Sequence, residues 1–156
     1  MITTPTETQL ADALRSWAKG IYPTEAGVEL LIRTRLASSG HRWVQRNSDF
    51  AERWWIDADQ INNDTIGVYS GGQQRVLRIA AALLGAEPVD LYQDVPGLDR
   101  EHLDLVLAAI AHAGGSHEHS GDLQPDPEGK WNLHGVRHGF RRLPSLYPWP
   151  EDGRHA

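Results

Sequence analysis

The 156-residue sequence predicts a mainly α-helical fold, a compact bundle of about four to five helices with a loosely structured C-terminal arm. Between residues 10 and 113, apolar residues recur at the three- and four-residue spacing of amphipathic helices. After residue 115 this periodicity stops, and proline, glycine and histidine become frequent. We therefore expect a helical domain over residues 1–115 and an arm over residues 116–156 that is partly ordered or packed on that domain.

The first two helices are predicted from start and stop signals. Thr4 is the expected N-cap of the first helix, with Pro5 at its first position and Glu7 completing a capping box. The second helix is expected to begin near Thr24 and to end at Gly40. Their apolar stripes are Leu10, Leu14, Trp17 and Ile21, followed by Val28, Leu31, Ile32 and Leu36.

In residues 41–69 the sequence signals for secondary structure are weaker than in the predicted helices. A short helix is predicted here, capped by Asn47 or Ser48. Its apolar residues are Phe50, Trp54 and Trp55. The Asn-Asn-Asp run at 62–64 indicates a turn, because these side chains compete for backbone hydrogen bonds, and residues 65–69 are expected to be extended.

Two further helices complete the predicted bundle. Ser70 is the expected N-cap of the first, Gln73 reaches back to it, and Gly85 ends the helix. Asp99 is expected to cap the second, which runs to the glycines at 114–115. The apolar residues of the two helices are Val76, Leu77, Ile79, Ala80, Ala81, Leu83 and Leu84, then Leu103, Val106, Leu107 and Ile110.

The run SGGQQR at residues 70–75 resembles the signature of the ABC-type ATPases, and the likeness extends through Asp94 and the Leu-Asp pair at 98–99. Such a resemblance implies ATP and magnesium. Two features oppose it: Val95 stands where the family has its acidic residue, and no G-x-x-x-x-G-K-[ST] loop is present to hold the phosphates. We interpret the run as a helix start and expect no nucleotide cofactor.

Composition restricts the possible functions. The net charge of -6 argues against general coating of nucleic acids, which depends on lysine and arginine. The absence of cysteine excludes disulfides and thiolate chemistry. No apolar run is long enough to cross a membrane and no signal peptide is evident, so we expect a cytoplasmic protein without membrane association.

The histidines are candidate metal ligands or catalytic residues. His117 and His119 flank a glutamate, and His134 and His138 are spaced as on one helix face, which are spacings that metal sites use. No HExxH motif and no serine in a nucleophile elbow accompany them. We expect a solvated arm with neither metal nor cofactor, and no catalytic residue is predicted.

A basic and aromatic cluster in the arm provides the predicted interaction residues. They are Trp131, Arg137, Phe140, Arg141, Arg142, Tyr147 and Trp149. Three roles fit such side chains. They could cover the helical core, anchor a protein partner, since tryptophan, tyrosine and arginine dominate interface hot spots, or stack on single-stranded nucleic acid.

The pattern SGG-x-x-R-x-L-x-IAA-x-L, with the later GLD, is similar to that of uncharacterised helical proteins of actinobacteria and their phages or plasmids. This resemblance implies no function. From the residues, we expect a non-enzymatic accessory or regulatory protein that acts through protein–protein contacts or self-association. The alternatives are a DNA-binding regulator that uses the arm and a small enzyme whose site is assembled from distant residues.

Overall fold

The structure, a computed structural model, describes residues 3–47, 49, 53–119 and 143–150. Over these residues it is mainly α-helical, which confirms the predicted fold class. The helices are α1 (Glu7–Ala18), α2 (Tyr22–Arg33), α3 (Asn63–Ile66), α4 (Gly71–Leu83), α5 (Leu91–Asp94) and α6 (Arg100–Ala113). The strands are β1 (Val44–Arg46) and β2 (Trp54–Ile56).

Helix α1 begins later than predicted. Thr6, not Thr4, is its N-cap, and its hydroxyl accepts from the backbone N–H of Gln9 while the Gln9 side chain returns to the Thr6 N–H. The capping box therefore uses a threonine and glutamine pair that also satisfies the sequence rule. Leu10 and Leu14 of the predicted stripe are buried, whereas Trp17 is half-exposed.

Helix α2 lies at the centre of the bundle and contacts α1, α4 and α6. It is shorter than predicted because Arg35 adopts a left-handed backbone, φ 61°, which stops the helix well before Gly40. Gly27 allows α4 to come close, since a Cβ atom there would lie 2.7 Å from Cγ of Leu84. Leu30 and Leu31 are fully buried on this helix.

Strands β1 and β2 pair antiparallel as a hairpin, so the predicted short helix with Trp54 and Trp55 is wrong. Val44 pairs with Ile56 and Arg46 with Trp54. Valine, isoleucine and tryptophan favour strands, and this preference outweighs the isolated capping signal. Phe50 and Ser48 lie outside the described residues.

The residues after the hairpin also differ from the prediction. Asn62 caps the single helical turn α3, where the sequence predicts a turn without a helix cap. Thr65 belongs to that turn and bonds back to the Asn62 N–H, so residues 65–69 are not an extended segment. Asparagine favours both a turn and an N-cap, which is why the sequence alone did not separate the two.

The two later predicted helices are confirmed. The Ser70 hydroxyl accepts from the N–H of Gln73, the Gln73 side chain returns, and Gly85 follows the helix at φ +85°. Asp99 accepts from the N–H of His102 at the start of α6. The fully buried apolar residues contributed by α4 and α6 are Val76, Leu77, Ala80, Val106, Ala108 and Ala109.

The described part of the arm returns to the helical domain. The N–H of Leu143 donates to the carbonyl of His119, and the hydroxyls of Ser116 and Ser145 lie 3.0 Å apart. Trp149 is only 8% exposed and joins the core. None of the described helices is both long and apolar enough to cross a bilayer.

Candidate functional site

The seven predicted interaction residues divide into two groups. Tyr147 and Trp149 lie within the described part of the chain, and both contact the helical domain. The hydroxyl of Tyr147 donates to the carboxylate of Asp104 on α6, and Trp149 is buried against α2 and α6 residues. Outside the described residues lie Trp131, Arg137, Phe140, Arg141 and Arg142.

A first candidate site is an open groove of about 730 Å³ between α1 and the hairpin, which we call the tryptophan groove. Its main lining residues are Asp12, Ser16, Trp17, Asn47, Arg53 and Trp55. The rings of Trp17 and Trp55 lie 6.5 Å apart at 53°. Trp17 is 43% exposed, so the groove presents a wide aromatic surface to solvent.

Hydrogen bonding separates the groove tryptophans from the buried ones. The indole N–H of Trp43 donates to the carbonyl of Leu36 at 2.7 Å, and that of Trp149 donates to Nδ1 of His112 at 3.4 Å. Among the described residues, neither Trp17 nor Trp55 has an acceptor for its indole N–H. The groove therefore offers aromatic surface together with two donors.

A second candidate site, the histidine cluster, consists of Glu25, His112 and His117. Nε2 of His112 lies 2.8 Å from Oε1 of Glu25, and the rings of His112 and His117 stack with centroids 4.0 Å apart. One potential ligand atom from each of the three residues lies within 4.8 Å of the other two. Two imidazoles and a carboxylate are a donor set that binds divalent transition metals.

Three different elements supply the cluster. Glu25 is in the first turn of α2 and His112 in the last turn of α6. His117 follows Gly115, whose φ of +73° reverses the chain after α6 and brings the second imidazole over the first. The ring of Tyr22 packs edge-on against both histidines.

Glu25 is held as a carboxylate. Burial alone would raise its pKa, but the hydrogen bonds from the Gly20 N–H and from His112, together with the charges of His112 and His117, outweigh burial and lower the pKa below its ordinary value. The Gly20 N–H donates to Oε2 at 2.7 Å, so Oε1 remains directed at His112.

The cluster opens onto a groove of about 560 Å³ whose wall carries an ion-pair network. Glu29 accepts from Arg15 at 2.9 Å and from Arg33 at 2.8 Å. Burial would raise the pKa of Glu29, but the two guanidinium groups outweigh it and lower that pKa. The guanidinium of Arg33 also lies 4.9 Å from the centre of a Trp149 ring.

The ATPase-like run at residues 70–75 forms the N-cap and the first turns of α4. Gly71 and the residues after it start α4, and Asp94, which the family resemblance would make a magnesium ligand, is buried and lies 3.4 Å from Arg78. Residues 91–94 form the helical turn α5, not a strand. The interpretation of Ser70 as a helix cap is confirmed.

No family model, curated protein or solved structure matches this chain. The similarity to helical proteins of actinobacteria and their phages or plasmids therefore stays a prediction.

Sequence reasoning did not predict either candidate site. Glu25 is far from both histidines along the chain, and the histidine spacings that drew attention paired His117 with His119 instead. His119 is exposed and lies outside the cluster, while His134 and His138 lie outside the described residues. The tryptophan groove was missed because Trp55 was assigned to a helix.

Proposed function

We propose that this protein is a non-enzymatic accessory or regulatory protein that binds other proteins, and that the tryptophan groove receives a proline-rich extended segment of its partner. The observation that carries the proposal is the pair of Trp17, which is 43% exposed, and the partly buried Trp55, whose indole N–H groups have no acceptor among the described residues. Tryptophan is the residue type most enriched at the centre of protein interfaces.

The chemistry of the groove favours a proline-rich ligand. A polyproline II segment has no internal hydrogen bonds, and its proline residues supply carbonyl acceptors without N–H donors. The two indole N–H groups supply matching donors, and the indole faces supply the flat surface on which proline rings dock in aromatic-lined grooves. Asn47, at the edge of the groove, has an amide group that can donate as well.

The groove is less suited to nucleic acid. Its wall carries both Asp12 and Arg53, so it lacks the excess of positive charge on which phosphate binding depends. The whole chain has a net charge of -6, which repels a polyanion further. A protein segment without strong charge fits this surface better.

Indole N–H signals in a ¹⁵N-labelled sample test the proposal directly. On titration with a synthetic proline-rich peptide, the signals of Trp17 and Trp55 should move, whereas those of Trp43 and Trp149, which donate within the chain, should stay. Trp17→Ala should weaken peptide binding at least tenfold, since interface tryptophans contribute about 2 kcal/mol or more.

Tyr92→Ala provides the matched control, because Tyr92 is an aromatic residue 83% exposed outside the groove. It should leave peptide affinity unchanged. Equal loss in both variants, or no movement of the Trp17 and Trp55 signals at saturating peptide, would refute the assignment of the groove. Light scattering of the free protein tests self-association, and a dimer that Trp17→Ala dissociates would make a second copy the occupant instead.

A further inference from the structure

We infer that Glu25, His112 and His117 bind a divalent transition-metal ion of the zinc class, and that metal binding releases the indole of Trp149 from His112. This inference concerns a different face from the tryptophan groove and does not depend on the proposed function. It rests on the donor set, its positioning and the hydrogen bonds of His112.

The donor set selects the class of metal. Imidazole nitrogen suits zinc, copper, nickel and cobalt, whereas magnesium and calcium require oxygen ligands. Two histidines and a glutamate leave one coordination position open in a tetrahedral site. Ligand atoms at about 2.0–2.2 Å from such an ion lie roughly 3.3–3.5 Å from one another. Since the three donor atoms already lie within 4.8 Å of one another, side-chain rotations that bring them up to about 1.5 Å closer complete the site.

The ligands are held by regular structure. Glu25 and His112 project from the ends of α2 and α6, two helices that pack directly against each other. The Gly20 N–H fixes the second carboxylate oxygen of Glu25, as outer-shell hydrogen bonds commonly fix a metal-binding carboxylate.

Nearby positive charge does not prevent a cation from binding. The groove beside the cluster carries Arg15, Lys19 and Arg33, but it also carries Glu118 and Glu29, and Glu29 pairs with both arginines. The same groove gives solvent access to the cluster, so water can occupy the open coordination position.

The hydrogen bonds of His112 couple the site to the arm. Nδ1 of His112 accepts from the Trp149 indole at 3.4 Å, and these hydrogen bonds place a ring proton on Nε2, which donates to Glu25. A metal ion at Nε2 requires that ring proton on Nδ1 instead. Two N–H groups would then face each other across the Trp149 contact, and the indole must turn away.

Zinc binding is measured by competition with a chromophoric chelator, using the full chain and zinc alone. The wild type should bind zinc at this site, and Glu25→Gln, His112→Gln and His117→Gln should each weaken binding at least tenfold. His119→Gln is the matched control, since His119 adjoins the cluster without belonging to it. The double variant His134→Gln/His138→Gln controls for the other histidines of the arm.

Two results would overturn the site: zinc affinity that survives all three cluster substitutions, or affinity that is lost in the His134→Gln/His138→Gln variant. Thermal melting of each variant without metal checks that it folds. Glu25→Gln is the most conservative change, because the amide oxygen can still accept from the Gly20 N–H.

The release of Trp149 has its own readout. The indole N–H signal of Trp149 should move when zinc is added to the wild type and stay in His117→Gln. Trp149→Phe keeps an aromatic ring but removes the competing donor, so zinc should bind with equal affinity or up to about tenfold more tightly. A clear loss of zinc affinity in Trp149→Phe would show that the indole supports the site and would refute the coupling.

Discussion

The indole N–H of Trp43 donates to the carbonyl of Leu36 at 2.7 Å, and both residues are buried. This bond ties the hairpin to the segment that leaves α2. Trp43→Phe should lower the free energy of unfolding by about 1–3 kcal/mol, because the Leu36 carbonyl is left buried without a partner. Urea denaturation provides the measurement. Trp17→Phe, the same truncation at a half-exposed position, should change stability by less than about 0.5 kcal/mol, and equal losses would contradict the assigned role.

Ser70 caps α4 through its side chain. Ser70→Ala should cost about 1 kcal/mol of stability, since an N-terminal N–H loses its acceptor. Ser39→Ala, at an exposed serine outside any helix, is the control and should be neutral. ATP with magnesium should leave the melting temperature of the wild type unchanged. A rise with ATP concentration would show nucleotide binding and reopen the ATPase interpretation.

Leu77 is completely buried in α4. Leu77→Ala should destabilise the protein by about 2–5 kcal/mol, through lost transfer energy and the cavity it leaves. Val68→Ala removes methyl groups from a side chain 89% exposed and should have little effect. Similar midpoints of urea denaturation for the two variants would show that α4 is not central to the core.

His41 predicts a pH dependence of stability. Burial beside Trp43 and Tyr69 lowers its pKa below the ordinary value, and this outweighs the hydrogen bond with Ser38. The unfolded chain, with a histidine pKa near 6.5, therefore binds the proton more readily than the folded chain. Stability should fall as the pH decreases from about 6.5 towards the folded pKa.

His41→Phe isolates this contribution, because it keeps a flat ring against Trp43 and Tyr69. Its free energy of unfolding, measured by urea denaturation from neutral to mildly acidic pH, should decrease less steeply than that of the wild type. Identical slopes would mean that other groups account for the pH dependence.

Trp149 tests whether the arm is part of the core. Trp149→Ala should lower the free energy of unfolding by about 3–5 kcal/mol, because the indole is buried against α2 and α6 as core tryptophans are. Leu146→Ala, three residues earlier and 88% exposed, should be close to neutral. Thermal melting distinguishes them. An unchanged melting temperature in Trp149→Ala would mean that the helical domain stands without this part of the arm.

Much of the helical framework could be predicted because capping and periodicity are local signals. The N-caps of α4 and α6 are predicted correctly from neighbouring residues: Ser70 with Gln73, and Asp99. The predicted start of α1 is wrong because Thr4 and Thr6 both satisfy capping rules, and Thr6 with Gln9 forms the capping box. The end of α2 depends on the left-handed Arg35, a conformation that arginine rarely signals in sequence.

The candidate sites could not be predicted from local signals. Glu25 contacts His112 only because α2 packs on α6, and no local sequence pattern predicts that these two helices pack together. The hairpin around Trp55 was misjudged because three-residue strands carry too little periodicity to exceed a capping signal. Both sites depend on long-range contacts.

The central position of α2 also has a consequence for synthesis of the chain. Leu30 and Leu31 are synthesised before α6, one of the helices that pack on them, which begins at residue 100. At about 5–20 residues per second, several seconds or more separate the two helices on the ribosome. During that interval, α1 and α4 are the helices, among those that contact α2, that can cover the apolar face of α2. The nascent chain thus exposes an apolar surface on α2, which chaperones can bind before α6 is made.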